Sequence, residues 1–406
     1  MIASIAWKNV WRNKTRSLVV IIATILGLIG GTFAGAFMFG MIEQRLGAAV
    51  DKEVSHIQLH NPLFPENNEI GFAISNPDSV CRILAGTVGV KAVSGRAKIM
   101  GMIASANSSG GVQIFGIDPE KEKLVTTLYQ AIPDTCGNYF TTGNKNQIIL
   151  GAKLAEKLKV KLRSKVVLRF QDTTGNIIEA AFKIAGIYNT YNDMFDDKTV
   201  FIRKTDLSSL LAGPAPVHEI AIYLSLPGNY EMIQAKIQAR FPGLLVQNWK
   251  EISPELALIV DVVDQMIYIF LGIILLALAF GIVNTMLMAV LERTKELGML
   301  MSIGMNRSRV FRMIMTETIW LTCTGGIIGM LLSYLLIAFF HRRGIDLSVV
   351  GRGMEALGYE SVIYPSIHMT YYIVLSVMIL VTGILSSIYP ARKALKIQPA
   401  EAIKME

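Results

Sequence analysis

The sequence predicts an α-helical membrane protein with four transmembrane helices and a large α+β domain inserted between the first two. Hydrophobic residues make up 52% of the 406 residues and charged residues only 17%, whereas soluble domains carry about 25% charged residues. A spanning helix needs roughly 20 apolar residues, and four uncharged runs reach that length: Ser17–Ile42, Gln265–Leu291, Thr318–Phe340 and Met369–Ala391. Residues 43–264 are too many for a loop and therefore predict a separate domain.

The distribution of positive charge predicts the side of the membrane on which each connection lies. Lys and Arg are concentrated in residues 1–17, 291–312 and 391–406, and such residues mark the cytoplasmic side of membrane proteins. We therefore expect both termini inside, and the domain 43–264 and a short connection at 341–368 outside, in the periplasm. The net charge of +8 then reflects topology and gives no reason to expect a nucleic-acid partner.

The chain begins with a basic stretch, residues 1–16. Its tryptophans and cations have helical spacing and predict an interfacial helix at headgroup level, although an ordinary basic flank to a span would look similar: Trp7, Trp11, Lys8, Arg12 and Arg16. The first span, 17–42, is longer than the apolar core of about 7–15 residues in a signal peptide. Within it, Gly27, Gly31 and Gly35 recur every fourth residue, a spacing that lets helices pack closely.

The domain at 43–264 alternates between strand-like and helical patterns and is expected to have two lobes. We expect residues 50–117 and 217–250 to form one α+β lobe, with 118–216 inserted as a second lobe. The sequence DTTG at 172–175 predicts a tight hairpin in which Gly175 supplies the positive φ. From Glu251 onward a helical register continues into the second span at 265–291 and predicts a continuous stalk helix.

Residues 292–311, between the second and third spans, have a helical pattern of their own. Leu297, Leu300, Met301 and Gly304 would share one face, opposite charged residues, which predicts a small amphipathic helix at the membrane surface. Glu317 lies a turn inside the third span, 312–340, and is a functional candidate unless the interface solvates it. The fourth span, 369–391, is followed by a cytoplasmic tail, 392–406.

The sequence argues against catalytic chemistry in this chain. It contains no GxxxxGK[ST] phosphate-binding motif, so ATP and Mg²⁺ would belong to a partner protein. The histidines do not cluster, and a metal site needs three or four converging ligands. The cysteines form no disulfide framework; Cys81 and Cys136 share the outer domain and could pair, although free thiols are the favoured interpretation.

Three stretches resemble the MacB and FtsX-like ABC transporter permeases. AWKNVWRNKTRSLVVIIATILGLIGG at 6–31 is similar to the entry into their first span, and YPARKALKIQPAEAIKME at 389–406 to their closing signature, with Ile403 in the usual Leu position. ERTKELGMLMSIGMNRSRV at 292–310 resembles their coupling helix, which docks into a groove on a separate ATPase subunit. The family's motif positions in this stretch are Glu292, Arg293, Glu296, Gly298 and Gly304.

Within that family, three outer-domain stretches look most like the lipoprotein-releasing (LolC/LolE-type) permeases: FQDTTGNIIEAAFKIAGIY, GGVQIFGIDPEKE and IILGAKLAEKLKV. The resemblance implies an inner-membrane permease that extracts acylated lipoproteins by mechanotransmission. It also implies an ATPase dimer, a second permease protomer (a copy or a paralogue), and a periplasmic chaperone. The chaperone-capturing paralogue has a longer, proline-containing hairpin, so the tight turn at 172–175 resembles the other paralogue or a homodimeric relative.

The resemblance also suggests where acyl chains would lie: in an apolar cleft between the first and second spans of two protomers. We expect its wall near the outer ends of these spans to comprise Phe33, Phe37, Met41, Met266, Ile269, Phe270 and Ile273. Two alternatives remain open. One is a MacB-like exporter of peptides or drugs through an outer-membrane duct; the other is an FtsX-like, non-transporting regulator of cell-wall hydrolases, which the large outer domain disfavours.

Overall fold

The structure is a computed structural model that describes residues 14–141, 143–350, 359 and 361–395. The predicted interfacial helix at 1–16 and the tail at 392–406 lie mostly outside these residues. The described chain forms two compact units. The helical unit comprises the described parts of 1–42, 261–346 and 362–406, and the outer unit those of 43–260 and 347–361.

The helices are numbered in chain order, as are the strands. The helices are α1 (Lys14–Ala49), α2 (Phe64–Asn67), α3 (Pro77–Ala85), α4 (Pro119–Val125), α5 (Ala152–Leu158), α6 (Asp193–Lys198), α7 (Lys204–Leu210), α8 (Tyr230–Arg240), α9 (Trp249–Ile252), α10 (Pro254–Glu292), α11 (Thr294–Ser302), α12 (Arg307–Arg343), α13 (Met369–Ser386) and α14 (Ile388–Ala394). The strands are β1 (Ile57–His60), β2 (Val90–Ala104), β3 (Ser109–Ile117), β4 (Gln147–Gly151), β5 (Lys165–Gln171), β6 (Ile177–Tyr188), β7 (Thr199–Arg203), β8 (Glu219–Leu224), β9 (Leu245–Asn248), β10 (Ile345–Asp346) and β11 (Val362–Ile363).

Among the described residues, four helical segments are long and apolar enough to cross a membrane: α1, α10, α12, and α13 with α14. The predicted fold class is therefore confirmed. The helices run past the predicted span limits, because α1 extends to Ala49 and α10 begins at Pro254. The expected helical register from Glu251 is interrupted at Ser253, where α9 ends and the proline opens a new helix. Proline suits a first helical turn because its missing N–H would have no partner there.

The predicted boundary between 292–311 and the third span is wrong. The short helix ends at Ser302, and residues 307–311 already belong to α12. Gly304 has φ +100°, which an α-helix does not allow, and the Met305 N–H donates to the Leu300 carbonyl at 3.0 Å. The side chain of Asn306 then accepts from the Ser308 N–H at 3.2 Å and caps α12.

In the described part of the outer unit, six strands close into a ring in the order β3-β7-β4-β6-β5-β2, with β2 paired to β3. Side chains from the strands and from α5 and α7 fill its interior, including Ile114, Leu150 and Phe182. A closed ring leaves no strand edge free to pair with another chain. The other lobe, which corresponds to the predicted lobe of residues 50–117 and 217–250, is a sheet in the order β2-β8-β1-β9, and its core includes residues of α3 and α8.

The predicted lobe boundary at residue 117 is also wrong. The second half of β2 and all of β3 belong to the ring: Ile103 pairs with Leu168 of β5, and Ile114 with Val200 of β7. The first half of β2 pairs instead with β8. The 15-residue strand β2 therefore belongs to both lobes. A boundary that assigns each segment of sequence to a single lobe cannot describe this arrangement.

Candidate functional site

The short helix α11 is attached to the helical unit through its apolar face. Leu297 and Gly298 are buried, and Leu297 packs in a core with Val290, Val310 and Met313. Leu300, Met301 and Met305 pack against the same core. The apolar face is thus occupied by the chain's own helices, so any partner must contact the opposite face.

An ion-pair network attaches the start of α11 to α12. Nη1 of Arg293 lies 3.1 Å from Oε2 of Glu317, and Nε of Arg293 lies 3.1 Å from Oε2 of Glu296. The Arg293 and Glu317 side chains are only 13% and 2% exposed. Glu317, which the sequence marked as an unusual carboxylate within a span, therefore neutralises the cation that precedes α11.

Four exposed residues lie on α11 or directly beside it. Lys295 and Met299 belong to the helix, Glu292 is the last residue of α10, and Ile303 follows the last residue of α11. All four are exposed, Met299 by 55% and Ile303 by 78%, and we call them the exposed stripe. Of the motif positions, Glu292 lies on the stripe, Glu296 is half-buried, Arg293 and Gly298 face inward, and Gly304 lies two residues beyond the helix.

Two family models match the chain in adjacent segments. The model of the MacB-like periplasmic core domain matches residues 21–240, and the model of the FtsX-like permease C-terminal domain matches residues 268–399. The first match alone covers more than half of the chain. The chain belongs to the MacB/FtsX-like permease family. It is a multi-pass membrane permease of ABC transporter type.

Named relatives agree with this assignment. The permease is 24% identical to the lipoprotein-releasing system transmembrane protein LolC of Neisseria meningitidis, over 83% of this chain and 84% of that protein. It is 25% identical to the macrolide export ATP-binding/permease protein MacB of Rhodopirellula baltica, over 47% of this chain and 27% of that protein. The periplasmic region of MacB from Actinobacillus actinomycetemcomitans aligns with 50% of this chain and 92% of its own, at 10% identity and a TM-score of 0.35.

The glycine ladder of the permease lies at helix contacts within one chain. A Cβ atom added to Gly27 would lie 3.3 Å from Cδ1 of Leu278 in α10. One added to Gly31 would lie 3.3 Å from Cδ1 of Ile379 in α13. The neighbouring atoms are the flexible ends of side chains. The glycines of α1 therefore accommodate side chains of α10 and α13, and they do not bring two helix backbones into contact.

A second pair of glycines makes the closer contact. A Cβ atom on Gly325 of α12 would lie 2.9 Å from the carbonyl oxygen of Ile21, and one on Gly329 would lie 3.2 Å from Cα of Ile25. Backbone atoms cannot move aside as side-chain ends can. The sequence GGIIG at 325–329 therefore lets the backbones of α1 and α12 approach closely.

The predicted cleft residues fall into two groups. Those of α10 are exposed by 47% to 60% and form one apolar surface on that helix: Met266, Ile269, Phe270 and Ile273. Those of α1 are half-buried: Phe33, Phe37 and Met41. The Phe33 ring packs edge-on against Phe340 of α12, with ring centroids 5.5 Å apart, so α12 already covers part of this wall residue.

The outer unit contains a buried charge network that sequence reasoning missed. The guanidinium of Arg96 lies 2.7 Å from a carboxylate oxygen of Glu122 and 2.6 Å from one of Glu219. Burial alone would raise the pKa of Glu219, but the charges of Lys98 and Arg96 outweigh it and hold the pKa at about 2. Its partners lie 26 and 123 residues away in the sequence, so the local pattern around Arg96 gives no sign of them.

Proposed function

We propose that this permease extracts lipoproteins from the bacterial inner membrane, driven by a separate ATPase subunit, with both termini in the cytoplasm. The observation that carries the proposal is the alignment with LolC, a protein named for lipoprotein release, over 83% of this chain and 84% of the relative. Such an alignment includes the outer unit as well as the spans. The functional form would contain a second permease protomer, either a copy or a paralogue, and lipid would surround its spans.

The exposed stripe on α11 is the surface we assign to the ATPase. Because the inward face of α11 is packed against α10 and α12, a push on the stripe would be transmitted to helices rather than absorbed in a loop. The ion pair from Arg293 to Glu317 adds a fixed link between α11 and α12. Glu292 and Lys295 supply opposite charges for orientation, while Met299 and Ile303 supply apolar contact area.

The exposed apolar surface of α10 is the wall we assign to the lipid anchor. Phe270 and Ile273 lie one turn apart, and both are at least half exposed. An acyl chain is recognised by apolar area alone, at roughly 25 cal/mol per Å² buried, so a row of large side chains is a sufficient site. Phe37 and Met41 of α1 are candidates for the opposite wall in a neighbouring protomer.

Depletion of the permease in its native bacterium tests the cargo. We expect acylated lipoproteins to accumulate in the inner membrane, and we expect the purified permease to carry lipid-modified proteins detectable by mass spectrometry. Substitution of Ile273 by Glu should remove these proteins while leaving the permease folded. Normal lipoprotein sorting after depletion would contradict the proposal.

A MacB-like exporter is the second candidate, favoured by the match of the MacB-like periplasmic core model to residues 21–240. It would move peptides or drugs with the aid of a periplasmic adaptor and an outer-membrane duct. Co-purification of such an adaptor, together with drug sensitivity and normal lipoprotein sorting after depletion, would favour it over lipoprotein release.

A further inference from the structure

The outer unit contains a cavity of about 600 Å³ where its two lobes meet. Helix α3 and Val217 line one side and belong to the core of the lobe that contains β1, β8 and β9. Lys204 lines another side and begins α7, whose Leu207 packs in the core of the strand ring. Ligand pockets of about 300–1,000 Å³ occur preferentially at such interfaces. We call this space the inter-lobe cavity.

Cations outnumber anions along the lining. Lys91, Lys121, Lys204 and Arg82 contribute four positive charges, whereas the carboxylates contribute two, from Asp78 and Asp118. Lys121 lies 3.9 Å from Asp118, and both are well exposed, so that pair neutralises little. The inter-lobe cavity therefore favours an anionic occupant.

Lys204 is the least exposed of these four cations: it is half-buried, whereas the other three are exposed. Burial lowers the pKa of Lys204. Within the part of the chain that the structure describes, no carboxylate lies within ion-pair distance of it. Asp78 and Asp118 attract Lys204 only from beyond that distance, so an anion in direct contact with the ammonium would offset more of its desolvation cost.

The rest of the lining is apolar. Val93 and Val217 contribute branched side chains, and Leu124 extends from α4. The thiol of Cys81 also lines the space; its Sγ lies 3.8 Å from the position that a Cβ on Gly95 would take. An occupant would therefore present an apolar part to this wall and its charge to the lysines.

We propose that the inter-lobe cavity binds a small amphiphilic oxyanion, a phosphate or carboxylate joined to a short apolar group, with Lys204 as its principal counter-charge. Lys121 and Lys91 would contact the same oxyanion from the exposed side. Because the lining comes from both lobes, the bound ligand would fix one lobe against the other. This inference does not depend on the cargo of the permease.

Cys81 provides the test, because a ligand in the cavity must shield its thiol. The full chain with Cys136→Ser and Cys323→Ser is alkylated with a maleimide in detergent, with butyl phosphate, hexanoate or inorganic phosphate added at matched ionic strength. When the ligand concentration is ten times the dissociation constant, only about one cavity in eleven is unoccupied, so the rate of Cys81 alkylation should fall about tenfold. Protection by butyl phosphate alone would identify a phosphate ligand, and protection by hexanoate a carboxylate.

The variant Lys204→Gln removes the charge and should abolish the protection. The matched control is Lys236→Gln, an exposed lysine on α8 outside the cavity, which should retain it. Melting curves of both variants establish that the outer unit is folded, and the same probes should raise the melting temperature of the wild type but not of Lys204→Gln. Unchanged alkylation with every probe, or equal protection in Lys204→Gln, would overturn the proposal.

Discussion

Arg293 and Glu317 show how one residue pair can secure a surface helix to a membrane span. Their charged groups lie 3.1 Å apart, and the carboxylate is almost completely shielded from solvent. Taking two charges out of water costs several kcal/mol per ion, and the pair repays that cost only while both partners remain. Each residue is therefore necessary because of the other.

Loss of either partner should destabilise the helical unit. We expect Arg293→Met or Glu317→Gln alone to reduce the free energy of unfolding by about 3 kcal/mol, because each change breaks a short ion pair at a carboxylate that is only 2% exposed. The double variant Arg293→Met with Glu317→Gln should recover much of that loss. Thermal unfolding in lipid nanodiscs measures all three, with Arg309→Met, an exposed arginine of α12, as control. Single variants that melt like the control would refute the buried pair.

Asp196 makes the stability of the outer unit depend on pH. Burial raises its pKa to about 7, from an ordinary value of 3.8, even though Thr190 donates hydrogen bonds to it. The folded state then holds this proton more tightly than the unfolded state. The stabilisation is complete below the unfolded pKa and is lost as the pH rises through about 7.

The variant Asp196→Asn stays neutral and should escape this loss. We expect its melting temperature, relative to wild type, to rise steadily as the pH is increased from about 4 to about 8. Circular dichroism melts of the full chain in detergent measure the difference. The control is Asp134→Asn, at an exposed position, whose melting temperature should differ from that of the wild type by the same amount at every pH. If the difference for Asp196→Asn is also independent of pH, this carboxylate does not titrate as described.

Single residues also show where sequence reasoning ends. Arg293 was assigned to the partner surface and Glu317 to the span, each on local grounds. They are 24 residues apart in sequence, with a turn and the start of a second helix between them, and only the packed structure brings the two charges together. The charged members of the exposed stripe could be inferred as a polar face, but the sequence pattern assigned no face to its two apolar members, Met299 and Ile303.

Among the elements, the contact between α1 and α12 depends on two glycines. Helices in lipid have no hydrophobic drive to associate, so close contact of small residues contributes much of their attraction. A methyl group on Gly325 would meet the backbone of α1, one on Gly31 would meet the movable end of Ile379, and one on Gly30 would meet nothing within 4 Å.

These neighbours predict a graded series of alanine substitutions. Gly325→Ala should lower the melting temperature in nanodiscs markedly, Gly31→Ala slightly, and Gly30→Ala not at all, because only the first requires two helices to separate. Gly30→Ala also serves as the control for helix propensity, which favours alanine over glycine by up to about 1 kcal/mol. Equal melting temperatures for Gly325→Ala and Gly30→Ala would contradict the close contact.

Alternation in the sequence makes some strands easy to predict. In β5 every second residue is buried, and the sequence accordingly places Val166, Leu168 and Phe170 at alternate positions. In β4 all five residues are buried, so no alternation exists and the strand was missed. In the lobe built on β1, β8 and β9, helices α3 and α8 were predicted, but β9 and the first half of β2 were not. The ring closure between β2 and β3 depends on pairings that no single segment contains.

At the scale of the whole molecule, the exposed stripe allows the proposed docking of an ATPase to be tested. Met299→Glu with Ile303→Glu places two charges where apolar contact is expected, while the packed face of α11 remains intact. We expect binding of the partner ATPase to weaken at least about tenfold, since buried apolar anchors at interfaces often contribute 2 kcal/mol or more. Co-purification of the ATPase and stimulation of its ATP turnover measure the loss.

The control for that experiment is Met194→Glu, a methionine of the outer unit that is 70% exposed. It changes a surface residue in the same way but far along the chain from α11, and it should leave ATPase binding unchanged. Should the double variant remain folded and retain its full complement of ATPase, the exposed stripe would not be the docking surface.

The pairing of β1 with β9 has a consequence for how such a protein could arise. Ile57, just after α1 and its short continuation, lies directly opposite Asn248, just before α9 and α10. The Trp249 N–H donates to the His56 carbonyl at 3.1 Å. The segment 55–250 therefore begins and ends at one point, as domains that tolerate transplantation do. A gene fragment encoding residues 55–250 could be cut out and replaced by a tight turn, and an ancestral hairpin of two spans could have acquired its outer domain by the reverse insertion.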